Sequence, residues 1–83
     1  MSLERIRHAT KRTIGINQTA KALQQSSVLH VYVARDAETH VVTPIVSMAN
    51  NLGVTVEWVE TMKQLGKACG IEVGAATAAI LEE

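Results

Sequence analysis

Phenylalanine is absent from this chain of 83 residues, and Tyr32 and Trp58 are its only aromatic residues. A platform of exposed rings on which bases could stack is therefore excluded. The core must be built of Val, Ile, Leu, Ala and Met. Nearly half the residues are apolar, enough for a core that needs no disulfide or metal staple, although a chain this short buries only about 60% of its unfolded surface. The single cysteine, Cys69, excludes an intramolecular disulfide. It lies in the apolar run Lys67-Ala68-Cys69-Gly70-Ile71, which fits a buried, inert thiol. His8, His30 and His40 stand singly, so no Cys/His spacing resembles a zinc site. No stretch approaches about 18 consecutive apolar residues. The N-terminus has no signal-like apolar run. The chain reads as a cytoplasmic, single-domain protein, with no membrane partner and no cofactor.

Formal net charge is zero, yet the charges are segregated. Up to Lys21 the chain carries Arg5, Arg7, Lys11, Arg12 and Lys21 against Glu4 alone. Lys63 and Lys67 follow in a stretch without acids, while most carboxylates lie elsewhere. Such a molecule has one basic side. Catalytic patterns are missing. No serine is framed by a histidine and an acid, Cys69 has no histidine near it in sequence, and neither GxGxxG nor a P-loop occurs. Asp36 and Glu38 fit a solvated turn. We expect no enzyme.

In chain order, Ser2 to Lys11 reads as a helix capped by Ser2, with Leu3, Ile6, Ala9 and Thr10 on one stripe. Arg12-Thr13-Ile14-Gly15 reads as a short strand or turn. A second helix runs from Asn17, as cap, to about Ser26, with Ile16 as a staple before it and Ala20 and Leu23 buried. Asn17 and Lys21 then share one face, with Gln18 beside them. Two readings stay open there. The three are a cap, a solvated amide and a surface charge, or they form a cluster able to meet phosphate oxygens or base edges at the positive end of the helix dipole.

Val28 to Ala34 is a nearly continuous β-branched run, as in a strand covered on both faces. Thr43-Pro44 reads as the cap and first residue of a third helix, ending at Gly53. Val54 to Val59 alternates into a strand. Thr61 to Gln64 is a capping box that opens a helix from Met62 to about Ala68, with Gly66 tolerated inside it. Gly70-Ile71-Glu72-Val73-Gly74 is a loop whose apolar residues either fold back on the core or face a partner. Ala75 to Leu81 has helical propensity, but the alternation of elements favours a final strand. These short alternations predict an α/β sandwich with helices on both sheet faces.

Three motifs occur in register: Gly15-x-Asn17-Gln18-x-x-Lys21-Ala22-Leu23, Ala34-Arg35-Asp36-Ala37, and Leu65-Gly66-Lys67-Ala68-Cys69-Gly70-Ile71-Glu72-Val73-Gly74-Ala75-Ala76. Together they resemble the kink-turn-binding ribosomal protein family, the archaeal L-seven-Ae type and most closely its small bacterial YbxF-type members, over essentially the whole chain. The resemblance implies a single-domain α/β fold, an α-β-α sandwich with a mixed four-stranded sheet, forming one kink-turn RNA-binding domain over residues 1–83. A kink-turn is an RNA helix bent at an internal loop with tandem sheared G·A pairs. By the same resemblance Gly15, Asn17, Gln18 and Lys21 would approach and read the guanines. Ile71, Glu72 and Val73 would pack on bulge nucleotides, and Arg12, Arg35, Lys63 and Lys67 would neutralise phosphates. Many family members carry Glu where this chain has Gln18, and an amide accepts from guanine more weakly than a carboxylate. The expected partner is a structured RNA containing a kink-turn, whether ribosomal RNA, a riboswitch or another, bound by a monomer. Two other readings use the same residues differently: an accessory module with Ile71 and Val73 against a protein partner, and a regulator binding a small molecule at the sheet end.

Overall fold

Val31-Tyr32-Val33, the stretch best suited to a pleated surface covered on both sides, lies in one of the two central strands. The computed structural model describes residues 3–83. Its elements in order are α1 (Glu4–Arg7), β1 (Lys11–Ile14), α2 (Ile16–Gln24), β2 (His30–Ala34), α3 (Thr39–Asn51), β3 (Thr55–Val59), α4 (Met62–Ala68) and β4 (Thr77–Glu82). The sheet order is β1-β4-β2-β3. β4 runs antiparallel to both neighbours, and β2 and β3 are parallel, joined by the α3 crossover. This is the α-β-α sandwich with a mixed four-stranded sheet that the resemblance implies, with the helices on both faces that the alternation predicts.

Side chains alternate across the sheet and divide the core in two. Tyr32, Ala78 and Ile80 point to the layer of α1 and α4, against Ile6, Leu65, Ala68 and Cys69. Val31, Val33 and Ala79 point to the layer of α2 and α3, against Leu23, Val42, Ile45 and Ala49. The alanines of β4 are wholly buried. Their small side chains in a central strand let both helical layers approach, which overrides their helical propensity.

Several element boundaries differ from the sequence reading. The first helix is one turn, Glu4–Arg7, because Lys11 to Ile14 pair with β4 and take the rest of the stretch into the sheet; the cap assigned to Ser2 lies outside the described residues. Asn17 does not cap α2, since Gly15 holds that position. The continuous run from Val28 narrows to a strand beginning at His30. Pro44 lies inside α3 rather than at its start. Val42, Ile45 and Ala49 bury on the sheet, and that stripe extends the helix one turn ahead of the proline. The lost N–H bond to His40 falls at an exposed position. Thr43 Oγ1 donates to the Thr39 carbonyl at 2.7 Å in the same turn.

At the end of the sheet where β2 and β3 begin, charges neutralise one another. Arg5 Nε donates to Glu83 Oε2 at 2.7 Å. That bond, with the nearby positive charge, holds the Glu83 carboxyl below its ordinary value. Arg5 Nη1 lies 3.1 Å from His30 Nδ1 and His30 Nε2 lies 3.0 Å from Glu57 Oε1. A guanidinium only donates, so His30 Nδ1 accepts and its Nε2–H points at Glu57.

Three helices end alike. Past α2, Ser26 N–H bonds the Leu23 carbonyl and Ser27 N–H the Ala22 carbonyl, the paired closure of a Schellman motif. α3 and α4 close the same way, with Gly53 and Gly70 at the left-handed residue. At α2 that residue is Ser26, with φ +55°, and it carries the strain of a Cβ in this region. Ser26→Gly is expected to stabilise the fold by about 1 kcal/mol, read as a higher midpoint in urea with an unchanged slope.

Candidate functional site

β1 and β2 end, and β4 begins, at one edge of the sheet, and α2 and α4 both start there. Gly15 turns the chain from β1 into α2 with φ +95° and ψ 167°, a conformation open almost solely to glycine. Its N–H donates to the Thr77 carbonyl at 2.8 Å, and its carbonyl accepts from Thr19 N–H at 3.1 Å. Asn17 and Gln18 are thus the second and third helical residues, both exposed. Gln18 Oε1 accepts from Ile14 N–H at 3.3 Å, and its amide nitrogen has no intramolecular partner among the described residues. Lys21, one turn on, is also exposed.

The rotation of α2 about its axis is set from inside. Thr19, completely buried, shares a hydrogen bond of 2.9 Å with Thr13 of β1. With Thr19, Ala22 and Leu23 turned to the sheet, residues 17, 18 and 21 must face outward. No sequence pattern marked this hydroxyl pair, since a buried threonine looks like any half-polar helix position.

The second half of the site is built on the start of α4. Thr61 Oγ1 accepts from Gln64 N–H at 3.0 Å, as the capping motif predicts. Asp36 Oδ1 accepts from Met62 N–H at 2.8 Å, so this carboxylate is a second cap and not merely solvated. The loop from Gly70 to Ala76 lies against this helix, with Ala75 N–H bonded to the Met62 carbonyl at 3.0 Å. Gly66 is required and not simply tolerated: a Cβ there would run into the Val73 carbonyl oxygen. Ile71 is half-buried on the core, Glu72 is exposed, and Val73 is 70% exposed. Of the two apolar loop residues, one folds back and one is free.

The cations divide by type. Arg12 Nη2 donates to the Cys69 carbonyl at 2.8 Å and Nη1 to the Ile6 and Arg7 carbonyls at 3.2 and 3.4 Å. Its guanidinium, assigned to phosphate by the resemblance, is occupied with the C-terminal carbonyls of α1 and α4. Arg35 stands 3.5 Å from Glu60 and 5.7 Å above the Trp58 ring. Arg5 pairs with Glu83 and Arg7 with Glu4. Lys11, Lys21, Lys63 and Lys67 are all exposed and have no ion pair among the described residues. Lys63 lies in the first turn of α4, beside the loop. Lys67 is one turn further, lining a shallow hollow with Leu3, Arg7 and Gln64. Burial pushes the Cys69 thiol above its ordinary value, with the Arg12 charge opposing, which keeps it protonated and unreactive.

The Thr13–Thr19 pair yields a thermodynamic test. Thr13→Val or Thr19→Val alone leaves one hydroxyl buried without its partner and is expected to cost about 1–3 kcal/mol. The double variant is expected to cost clearly less than the sum of the two, measured by chemical denaturation as a double-mutant cycle.

Residues 2–83 match the model of the "Ribosomal protein L7Ae/L30e/S12e/Gadd45 family". "RNA-binding protein BH0128" of Halalkalibacterium halodurans is 50% identical over 80 residues, 96% of this chain and 98% of that one. "RNA-binding protein YbxF" of Geobacillus stearothermophilus is 44% identical over 98% of this chain and 99% of its own. "Large ribosomal subunit protein eL8" of Haloquadratum walsbyi is 38% identical over 82% of this chain, which covers 58% of that longer protein. Among solved structures, the "Giardia lamblia 15.5kD RNA binding protein" superposes with a TM-score of 0.88 at 23% identity, over 98% of this chain and 71% of that one, a likeness of fold. These relatives bear the names of RNA-binding and ribosomal proteins, not of enzymes. The order of motifs, the fold and the match over residues 2–83 lead to one assignment: the chain belongs to the L7Ae/L30e/S12e/Gadd45 ribosomal protein family.

Proposed function

We propose that this protein binds RNA, selects kink-turns through their tandem sheared G·A pairs, and stabilises the bent form. The observation that carries the reading is the cluster at the start of α2. Asn17, Gln18 and Lys21 are exposed on a helix end pinned by Gly15 and by the buried threonines. Family membership and the names of the curated relatives support it.

The chemistry follows from what each group has left to offer. The first turn of α2 carries unpaired N–H groups and the positive dipole end, favourable to a polyanion. Guanine O6 and N7 are acceptors in the major groove. The Lys21 ammonium only donates. Gln18 uses one acceptor site of its oxygen on Ile14 N–H, so its amide nitrogen is free to donate to the base while the oxygen keeps a second site. Asn17 can donate and accept. A carboxylate at position 18 would instead serve the guanine N–H edge, and an amide changes the pattern of contacts without abolishing them. Val73 supplies an apolar surface for an unstacked nucleotide, held by the close packing of Gly66 and half-buried Ile71. Phosphates fall to the unpaired lysines, Lys63 and Lys67 among them, with exposed Arg35 at the rim. Arg12 acts through the loop that it holds.

Binding that discriminates between two RNA conformers shifts their equilibrium toward the one bound better. RNA carrying a kink-turn and labelled at both ends tests this. Its ends are expected to approach on titration with protein, while an RNA with the G·A pairs changed to Watson–Crick pairs stays extended. Lys21→Ala is expected to weaken binding by about tenfold or more, the ~1–3 kcal/mol of a base-edge contact. Equal binding of both RNAs would overturn the reading and leave Val73 as a surface for a protein partner.

A further inference from the structure

At the sheet end where β2 and β3 begin, His30 is 7% exposed and both its ring nitrogens are engaged. Arg5 of α1 lies at Nδ1 and Glu57 of β3 at Nε2. Tyr32, on the same face of β2, meets the imidazole edge-on at 4.9 Å. Glu83, after β4, adds a second carboxylate through its ion pair with Arg5. Cys69, at the end of α4, acts on Tyr32 and not on the ring. Burial, with the Glu57 charge, pushes the Tyr32 hydroxyl above its ordinary value, so it stays protonated. Tyr32 Oη and Glu57 Oε2 are buried without a partner among the described residues. With a neutral imidazole the cluster sets one guanidinium against two carboxylates, an excess of one negative charge.

A proton on His30 balances that charge but breaks the geometry. Nδ1 becomes a donor, 3.1 Å from Arg5 Nη1, which is also a donor. Two N–H groups cannot share that contact, and Arg5 must leave the ring. The bond to Arg5 holds the Glu83 carboxyl below its ordinary value, so the pair can move together. An imidazole is the side chain that ordinarily changes charge between about pH 5 and 8, and His30 is the one in this cluster.

Arg5 is tied to the far end of the molecule. It sits on the single turn α1, whose Ile6 and Arg7 carbonyls accept from Arg12 Nη1 at 3.2 and 3.4 Å. Arg12 Nη2 donates to the Cys69 carbonyl at 2.8 Å, where α4 ends and the loop carrying Val73 begins. Gly70 and Ile71 N–H close that turn on the Lys67 and Gly66 carbonyls. A line of polar contacts thus runs from His30 through Arg5, α1 and Arg12 to the loop. A helix of four residues has little stability of its own, so its seat depends on Ile6 and on the contacts at either side.

We propose that His30 is a pH-operated latch on the loop from Gly70 to Gly74. Neutral, it holds Arg5 and seats α1. Protonated, it releases Arg5, and α1 and Arg12 loosen their hold on the loop. The proton biases one element between two arrangements, as coupling of distant sites requires. The effect on RNA rests on the kink-turn reading; the latch itself does not.

The test follows the whole chain, without RNA, by amide hydrogen exchange at about pH 8 and about pH 5.5, each rate divided by the intrinsic rate at that pH. Protection of the His8, Gly70 and Ile71 amides is expected to fall several-fold at the lower pH, while Ala49 in α3 holds. His30→Gln cannot take the proton and is expected to abolish the change. Arg5→Gln, shorter and uncharged, is expected to show the loosened loop at both pH values. His8→Gln and His40→Gln, at exposed positions, are expected to keep the change. Protection independent of pH in the unmodified chain would overturn the latch, as would an equal loss at Ala49. Should His30→Gln fail to melt cooperatively, Arg5→Gln decides, because a pH effect persisting there also overturns it. Affinity for kink-turn RNA is then expected to fall several-fold more at the lower pH for the unmodified chain than for Arg5→Gln. Equal falls would overturn the coupling to RNA. Failure of the unmodified chain to distinguish kink-turn from Watson–Crick control overturns the underlying reading instead, so the failures are separable.

Discussion

One backbone hydrogen bond, from the Gly15 N–H to the Thr77 carbonyl at 2.8 Å, joins the two parts of the site. It fixes the start of α2 to the end of the loop that carries Val73. The bond requires a residue at the end of β1 that can turn sharply with positive φ, and only glycine does so without strain. On one side the buried Thr13–Thr19 pair sets the rotation of α2. On the other, Asp36 and Thr61 cap α4, and the loop rests on that helix through Met62 and Gly66. The exposed side chains thus stand on a frame of backbone contacts, and little rearrangement is needed before a rigid partner can be met.

The division of labour between arginine and lysine follows from their chemistry. A planar guanidinium can hold several acceptors in fixed directions, and Arg12 does so with three carbonyls from two helices. Arg5 and Arg7 are likewise committed to carboxylates, while Arg35, 3.5 Å from Glu60, stays exposed at the rim. Exposed pairs of this kind contribute little to stability, but they neutralise charge locally. The lysines, flexible point charges, are what remains for a partner. A chain of zero net charge thereby keeps uncommitted lysines on α2 and α4 while its opposite end is balanced. That arrangement favours a specific site over diffuse attraction to any polyanion.

Much of this was legible in the residues. The β-branched run around Tyr32, the capping motif at Thr61 and the alternation of short elements specified the sandwich and most helices. The final strand was legible only by going against the propensity of its alanines, because their use as spacers between two helical layers is a property of the assembled sheet. The start of α2 was misplaced by two residues: Asn17 has the chemistry of a capping residue, but the turn needed positive φ, and Gly15 took the position. Pro44 misled for a similar reason, since burial of Val42, Ile45 and Ala49 outweighed the local start signal. For the site, residue types indicated which side chains bear chemistry, but not which are already engaged. Arg12 and Lys11 look alike as cations in the sequence. Only the chain's closure on itself puts the first on carbonyls of Cys69, Ile6 and Arg7 and leaves the second exposed.

The central claim is that recognition is confined to the end of the sheet where α2 and α4 start. Mapping backbone amide shifts by NMR during titration with a kink-turn RNA tests it most directly. The account predicts perturbations concentrated at residues 11–25, 35–36, 61–67 and 70–77, with the amides of 48–56 unchanged. Shifts centred on the α3–β3 turn around Leu52, or spread evenly over the surface, would contradict it.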